Sequence, residues 1–208
     1  MGRHNIETAL FHVSDMLADR NDETASFREE LENIPDWGVY LSEQMQHETN
    51  KTIVITAFTK TFVKNLSKNE TIFAEGTKKN FIVVVQDSKM LSTANIQAFQ
   101  QKDKELHAQG GMLQIFTLKE LQYNPSKHIL VPKHEKVRED QIKDIMTRYQ
   151  VKTKSQLPVI MKTDMMARWL GLKHGDIVCI TRHNENSGTY YYYRCCVWSI
   201  FDFFLNNC

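Results

Sequence analysis

One stretch constrains the fold more than any other, the run Phe81-Ile82-Val83-Val84-Val85. Side chains alternate between the two faces of a strand, so a run with no polar member needs cover on both sides. That is the habit of a central strand in a parallel sheet. Downstream, Ser92 to His107 turns Ile96, Phe99 and, less regularly, Leu106 inward as a helix, and Gly110-Gly111 supplies its C-cap. Met112-Leu113-Gln114-Ile115-Phe116 then reads as a second strand. Strand, helix, strand at this spacing predicts a βαβ crossover with parallel strands, and so an α/β domain in the first part of the chain.

The flanking segments fit that domain. Ile6, Leu10, Val13 and Leu17 stand at helical spacing, and Asp22 to Glu32 reads as a second helix with Phe27, Leu31 and Ile34 on one side. Pro35-Asp36-Trp37-Gly38 is a turn, and Val39 to Gln46 has no clear pattern. Thr52 to Phe58 is a β-branched strand candidate, with a shorter one at Thr71-Ile72-Phe73.

Asn124-Pro125-Ser126 is a hinge, which divides the chain into domains 1–125 and 126–197 with an apolar extension over 198–208. In the second domain Ile129-Leu130-Val131 is a short strand halted by Pro132, and Glu139 to Tyr149 is a helix with Ile142, Ile145, Met146 and Tyr149 on one face. Leu157-Pro158-Val159-Ile160 is extended, because a residue before proline avoids the α region. Thr163 or Asp164 caps a short helix that runs through Trp169 and ends at Gly171. Lys173 to Asp176 is a turn, and Ile177–Thr181 and Tyr190–Val197 form a hairpin across Asn184 to Gly188. The fold class is therefore α+β overall, an α/β domain followed by a small α+β domain with a C-terminal β-hairpin.

Composition narrows the function. The 208 residues carry a net charge of only +1, yet residues 1–125 hold 13 Lys and Arg against 17 Asp and Glu, whereas residues 126–197 hold 13 against 7. A small basic module suits an acidic partner, either nucleic acid or protein. No apolar run approaches the roughly 20 residues of a membrane span, and Arg3, His4 and Glu7 argue against a secretory signal. The cysteines Cys179, Cys195, Cys196 and Cys208 form no C-x-x-C pair, which points to reduced thiols rather than a zinc or dithiol site.

The chemistry-bearing candidates are few. His128 and His134 flank Pro132 without a third ligand at metal spacing, so they read as partners of local backbone. Pro35-Asp36 with Glu75 and Lys78 is a near miss to a Mg²⁺ nuclease signature, but the acid and lysine fall on opposite faces of a strand. The run Tyr190-Tyr191-Tyr192-Tyr193 sends Tyr190 and Tyr192 to one face and Tyr191 and Tyr193 to the other. Such rings form either a base-stacking platform or, more simply, a packed hairpin with half its rings at an interface. The tail brings Trp198, Phe201, Phe204 and Leu205 near a common helical face. No nucleophile, metal cluster or phosphate loop is present in the second domain, the pattern of a part that holds something together.

The second domain resembles a known family. His128, Leu130-Val131-Pro132, His134, Arg148-Tyr149, Gln156-Leu157-Pro158, Asp164, Ala167-Arg168, Gly171, Gly175, Val178, Ile180, Arg182, Gly188, Tyr190, Tyr193-Arg194 and Val197 follow in the order found in the C-terminal domain of the fifth subunit of eukaryotic nuclear RNA polymerases and in its archaeal counterpart. Ile82 to Gln86 and Leu113 to Leu121 resemble that family's N-terminal jaw more weakly. The resemblance implies a non-catalytic polymerase subunit, without cofactor, metal or small-molecule substrate. It would dock on the largest subunit through an assembly domain, beside other polymerase subunits, and contribute a jaw around downstream DNA. The assembly surface it implies comprises His128, Pro132, His134, Arg168, Gly171, Asp176, Arg182, Gly188, Tyr193 and Arg194. A free-standing DNA-binding protein and a divergent Mg²⁺-dependent nuclease are the alternatives.

Departures from the family are specific. Met165 replaces the proline that opens the short helix, Arg138 replaces a hydroxyl N-cap, Cys179 replaces a lysine, the stretch between Phe58 and Phe81 is short, and the chain continues past Val197. This divergence suggests a copy carried by a large cytoplasmic DNA virus, active in host cytoplasm and virion. A cellular homologue would act in the nucleus.

Overall fold

The computed structural model describes residues 3–68, 71–74, 80–186 and 188–198, and it divides into two units, Met1–Asn124 and Pro125–Cys208. The first runs through α1 (Arg3–Asp19), α2 (Ala25–Glu32), α3 (Val39–Ser42), β1 (Gln46–Glu48), β2 (Thr52–Ala57), α4 (Lys60–Lys68), α5 (Thr71–Ala74), β3 (Asn80–Val85), α6 (Thr93–Ala108) and β4 (Met112–Thr117). Its sheet has the order β1-β2-β3-β4. β3 pairs in parallel with both β2 and β4, while β1 lies antiparallel on the edge. The predicted βαβ crossover is thus formed, and the molecule is α+β overall.

The apolar run ends up where its composition demands. Ile53, Ile55, Ala57, Phe81, Val83, Val85 and Leu113 share a core with Val63 and Leu66 of α4 and Phe99 and Leu106 of α6. Their alternate neighbours Val54, Ile82, Val84 and Phe116 are equally buried and point to the opposite face. There Arg20, just beyond α1, donates to the Gln114 side chain at 2.6 Å. Each fully buried side chain of this size contributes about 1.5–3 kcal/mol relative to exposure, so the covered sheet outweighs any local propensity. β1 is fixed by a polar relay from the buried Tyr40 to the exposed Glu30, in which the Tyr40 hydroxyl meets His47 Nε2 at 2.7 Å and His47 Nδ1 meets Glu30 at 2.8 Å. Burial first, and then the Glu30 charge, pushes the Tyr40 phenol well above its usual range.

Three sequence expectations change in this unit. Thr71-Ile72-Phe73 lies in helix α5 rather than a strand. Three residues are too few to show either period, and Phe73 meets the Phe81 ring edge-on with centroids 5.1 Å apart. Ile96 is 39% exposed in the first turn of α6, so it does not face inward. The buried stripe of α6 is instead Phe99, Asp103 and Leu106. Its irregularity has a cause, since the Asp103 carboxylate accepts the Leu113 amide at 2.9 Å and ties the helix to β4. Ile34 lies beyond the end of α2, after its C-cap Asn33.

The second unit comprises β5 (Lys133–Lys136), α7 (Glu139–Arg148), β6 (Val159–Met161), α8 (Met165–Trp169), β7 (Ile177–Asn184) and β8 (Gly188–Val197). Its sheet has the order β5-β7-β8-β6. β7 and β8 form the antiparallel hairpin, β5 pairs antiparallel with β7, and β6 runs parallel to β8. Val137, Leu157, Ile177 and Cys195 form a core against Ile142 and Ile145 of α7. Residues 129–131 are not a strand: they form a turn closed by the Val131 amide on His128 O at 2.9 Å. The strand starts only after Pro132, which has no amide to give a ladder.

Helix ends follow one design. After α1, α6, α7 and α8, paired amides return to the last turn: Asp22 to Leu17 O, Gly111 to Leu106 O, Val151 to Met146 O and Leu172 to Ala167 O, all between 2.8 and 3.0 Å. That geometry needs one residue with positive φ. Asn21, Gly110 and Gly171 supply it at φ 57, 80 and 61°, whereas α7 uses Gln150 at φ 54°. A side chain there strains the backbone by about 1–2 kcal/mol. Gln150→Gly should therefore raise stability by about 0.5–1 kcal/mol after the glycine's greater unfolded-state freedom is subtracted. Urea denaturation checks this, and Gln150→Ala should give no such gain.

Candidate functional site

The hairpin organises the candidate site. Its register pairs Arg182 with Tyr190, Ile180 with Tyr192, and Val178 with Arg194, and β5 sets His134 beside Ile180. Arg182, Tyr192, Arg194 and His134 therefore share one face of the sheet. The Arg194 and Arg182 guanidinium carbons lie 5.3 and 5.9 Å from the Tyr192 ring centroid, within cation–π range. Arg194 Nη1 donates to Val159 O at 3.2 Å. Its Nε is buried with no hydrogen-bond partner among the described residues. Neither strand of the hairpin contains an Asp or Glu, so this face is a fork of cations held on an aromatic plate.

The opposite face is packed. Tyr193 pairs with Cys179 and meets the Tyr149 ring at 5.4 Å in an edge-on contact. Burial pushes its phenol up to about 12, with Cys179 adding to the effect. Tyr190 and Tyr191 are 43% and 55% exposed, while Tyr192 and Tyr193 are half-buried. The tyrosine run is thus split between a packed base and an open tip, with two rings free for an interface.

The other expected site residues build the frame. His128 Nδ1 accepts the Leu130 amide at 3.2 Å, and His134 Nδ1 lies 2.6 Å from Pro132 O. Both imidazoles are spent on the turn around Pro132. Among the described residues no group of three or more His, Cys, Asp or Glu is placed to hold a metal ion. Asp164 caps α8 by accepting the Met166 and Ala167 amides at 2.8 and 3.4 Å, which does the work of the absent proline. Arg168 is half-buried in that helix and Gly171 closes it. Gly188 pairs with Asn184 at the hairpin tip with φ 75°. The Asp176 carboxylate accepts the Lys173 amide at 2.7 Å and pairs with Lys136 at 2.6 Å. α7 starts at Arg138 without a side-chain cap, and Glu139 and Asp140 in its first turn offset the helix dipole instead.

The exposed residues that sequence reasoning missed are Ile129 and Leu130. The structure holds them at the tip of the His128–Pro132 turn, 95% and 82% exposed. A short apolar run before a proline reads as a strand, so no sequence signal marked them as a knob. Of the nuclease near miss, Asp36 accepts the Gly38 amide at 2.8 Å within its own turn; Glu75 and Lys78 lie outside the described residues, as does the tail after Trp198. Trp198 itself carries the Lys162 ammonium 3.5 Å from its ring centroid.

The second unit thus combines a basic hairpin face with an exposed apolar knob. Comparison with known proteins places the chain in a family. Residues 123–196 match the family described as RNA polymerase Rpb5, C-terminal domain. The chain is 41% identical over 73 residues to the DNA-directed RNA polymerase subunit Rpo5 of Pyrococcus horikoshii, covering 35% of this chain and 88% of the archaeal protein. It is 37% identical over 116 residues to the subunit rpabc1 of RNA polymerases I, II and III from Dictyostelium discoideum, covering 56% of this chain and 55% of that protein. Over 83 residues it is 40% identical to RPABC1 of Caenorhabditis briggsae, covering 40% and 39%. The chain belongs to the fifth-subunit family of DNA-directed RNA polymerases. The aligned region spans about half the length of the Dictyostelium relative. These relatives are cellular and support neither a virus-borne copy nor a nuclease.

Asp176 separates frame from contact surface experimentally. Asp176→Ala should cost about 1.5–3 kcal/mol in urea denaturation, because it frees the Lys173 amide and unpairs Lys136. Unchanged stability together with lost subunit association would instead place the carboxylate on the partner.

Proposed function

We propose that this chain is a non-catalytic subunit of a multisubunit DNA-directed RNA polymerase. Its second unit docks on the largest subunit, and its first contributes to a jaw around downstream DNA. The observation that carries the docking reading is the Ile129–Leu130 knob, 95% and 82% exposed, in a protein of this family. Burying two such side chains in a partner pocket gains about 1.5–3 kcal/mol each, and the Arg182–Tyr192–Arg194 face offers planar donors for carboxylates. An archaeal relative for which a 73-residue match makes up 88% of the length supports a docking function that needs little more than one such unit. The jaw reading draws on α4, where Lys60, Lys64 and Lys68 recur at four-residue spacing on the exposed side, with no acid in the helix. Such a ridge suits phosphates. Cellular relatives favour the nucleus over host cytoplasm and virion as the site of action.

Co-purification with the largest subunit tests the docking. Residues 126–208 should bind it alone, and Leu130→Asp should abolish the complex without loss of fold. Arg182→Glu should weaken binding about tenfold or more, corresponding to about 1.4 kcal/mol or above. Binding by residues 1–125 alone, with none by 126–208, would overturn the division of labour.

The purified chain should neither synthesise RNA nor nick DNA in Mg²⁺. Nicking that disappears in Glu75→Ala would restore the nuclease reading.

A further inference from the structure

Among the described residues, part of one edge of β8 has no neighbouring strand. It runs from Gly188 to Val197 and meets β7 along Gly188 to Cys195, but β6 covers only Cys195 to Val197. The amide of Cys195 points to β6, since it donates to Pro158 O at 2.8 Å, whereas that of Cys196 donates to Asp176 O on the β7 side at 2.8 Å. Backbone groups alternate along a strand, so the N–H and C=O of Thr189, Tyr191 and Tyr193 point away from β7, past the end of β6. The ladder stops for a chemical reason, because the next donor in the β6 register is Pro158, which has no N–H.

Strand edges are normally guarded by lysine, proline, a bulge or shortness. The segment Thr189-Tyr190-Tyr191-Tyr192-Tyr193 has none of these and consists entirely of strong strand formers. Beside it lie Arg194 with its unpartnered buried Nε and the exposed Arg182. The hairpin strands contain no carboxylate. A second copy placed edge to edge would bring arginines toward arginines, whereas a strand bearing Asp or Glu would match them.

We propose that the β8 edge from Thr189 to Tyr193 receives an extended, carboxylate-bearing segment of the polymerase subunit on which this unit docks, as an added strand. This rests on the docking reading above and names its chemistry. Main-chain bonds supply the register, and the arginines select the acidic segment.

Site-resolved hydrogen exchange on the full chain, alone and bound to the largest polymerase subunit, tests it. The amides of Thr189, Tyr191 and Tyr193 should exchange rapidly in the free chain and lose that rapid exchange in the complex. Those of Tyr190, Tyr192 and Arg194 should be slow in both. A complex that forms while the three edge amides stay fast overturns strand addition and leaves docking standing; absence of any complex overturns both. Edge protection in the free chain overturns the proposal too. If concentration-dependent it reveals a second copy in the edge, and if not, the chain's own remaining segment. Tyr191→Pro, which deletes one edge donor, should lose the complex, whereas Tyr191→Ala should retain it; equal behaviour of the two variants also sinks the idea.

Discussion

The second unit depends on one mismatch of lengths. β8 is ten residues long, and burial along it climbs from an exposed tip to a fully buried base at Cys195, Cys196 and Val197. The base is locked between β6 and β7, while among the described residues the tip pairs with β7 alone. The anchored side chains of the hairpin face lie at the changeover. Arg194 is half-buried and anchored to Val159 O, Tyr192 carries the guanidinium groups, and Tyr193 is clamped by Tyr149. On the docking reading proposed above, a surface built this way is ordered before a partner arrives, which would reduce the side-chain entropy lost on association. A hairpin exposed throughout would forfeit that advantage.

The first unit solves a different problem. Its central strand β3 is apolar over five consecutive residues and has parallel neighbours on both sides. Nothing along that strand reaches solvent apart from the half-buried Asn80. Specificity in this unit lies in a few buried polar ties, such as Asp103 to the Leu113 amide and His47 between Tyr40 and Glu30. Buried carboxylates and imidazoles are tolerated only when so paired. They fix how helix and strand register without offering chemistry to a ligand.

These two arrangements explain what could be read in advance. β3, β4 and the hairpin were legible because periodicity and turn chemistry agree over six or more residues. Residues 71–73 and 129–131 were not, because a three-residue apolar segment has no period and its partner decides its shape. Phe73 found the Phe81 ring and became helical; Ile129 and Leu130 found no cover among the described residues and stand 95% and 82% exposed. The Arg182–Tyr192–Arg194 face was half legible. Tyrosine alternation, and the face that Arg194 shares with Tyr192 on the same strand, follow from sequence, but Arg182 joins them only through the hairpin register, and a one-residue slip would send it to the other face.

The residues expected at the assembly surface do two separate jobs, and hydrogen bonds tell them apart. His128, Pro132 and His134 are consumed in shaping one turn, Asp176 in closing another, and Gly171 and Gly188 in positive-φ positions. Resemblance alone cannot sort these from Arg182, which is exposed with no carboxylate in its own strands. The sorting has an energetic meaning. On the docking reading proposed above, frame residues would act on binding by keeping the turn in place, whereas Arg182 and Leu130, exposed in the free chain, would keep their desolvation energy for a partner. The apolar knob is held out by that frame: the Val131 amide on His128 O and the His128 and His134 imidazole bonds fix the turn at whose tip Ile129 and Leu130 stand.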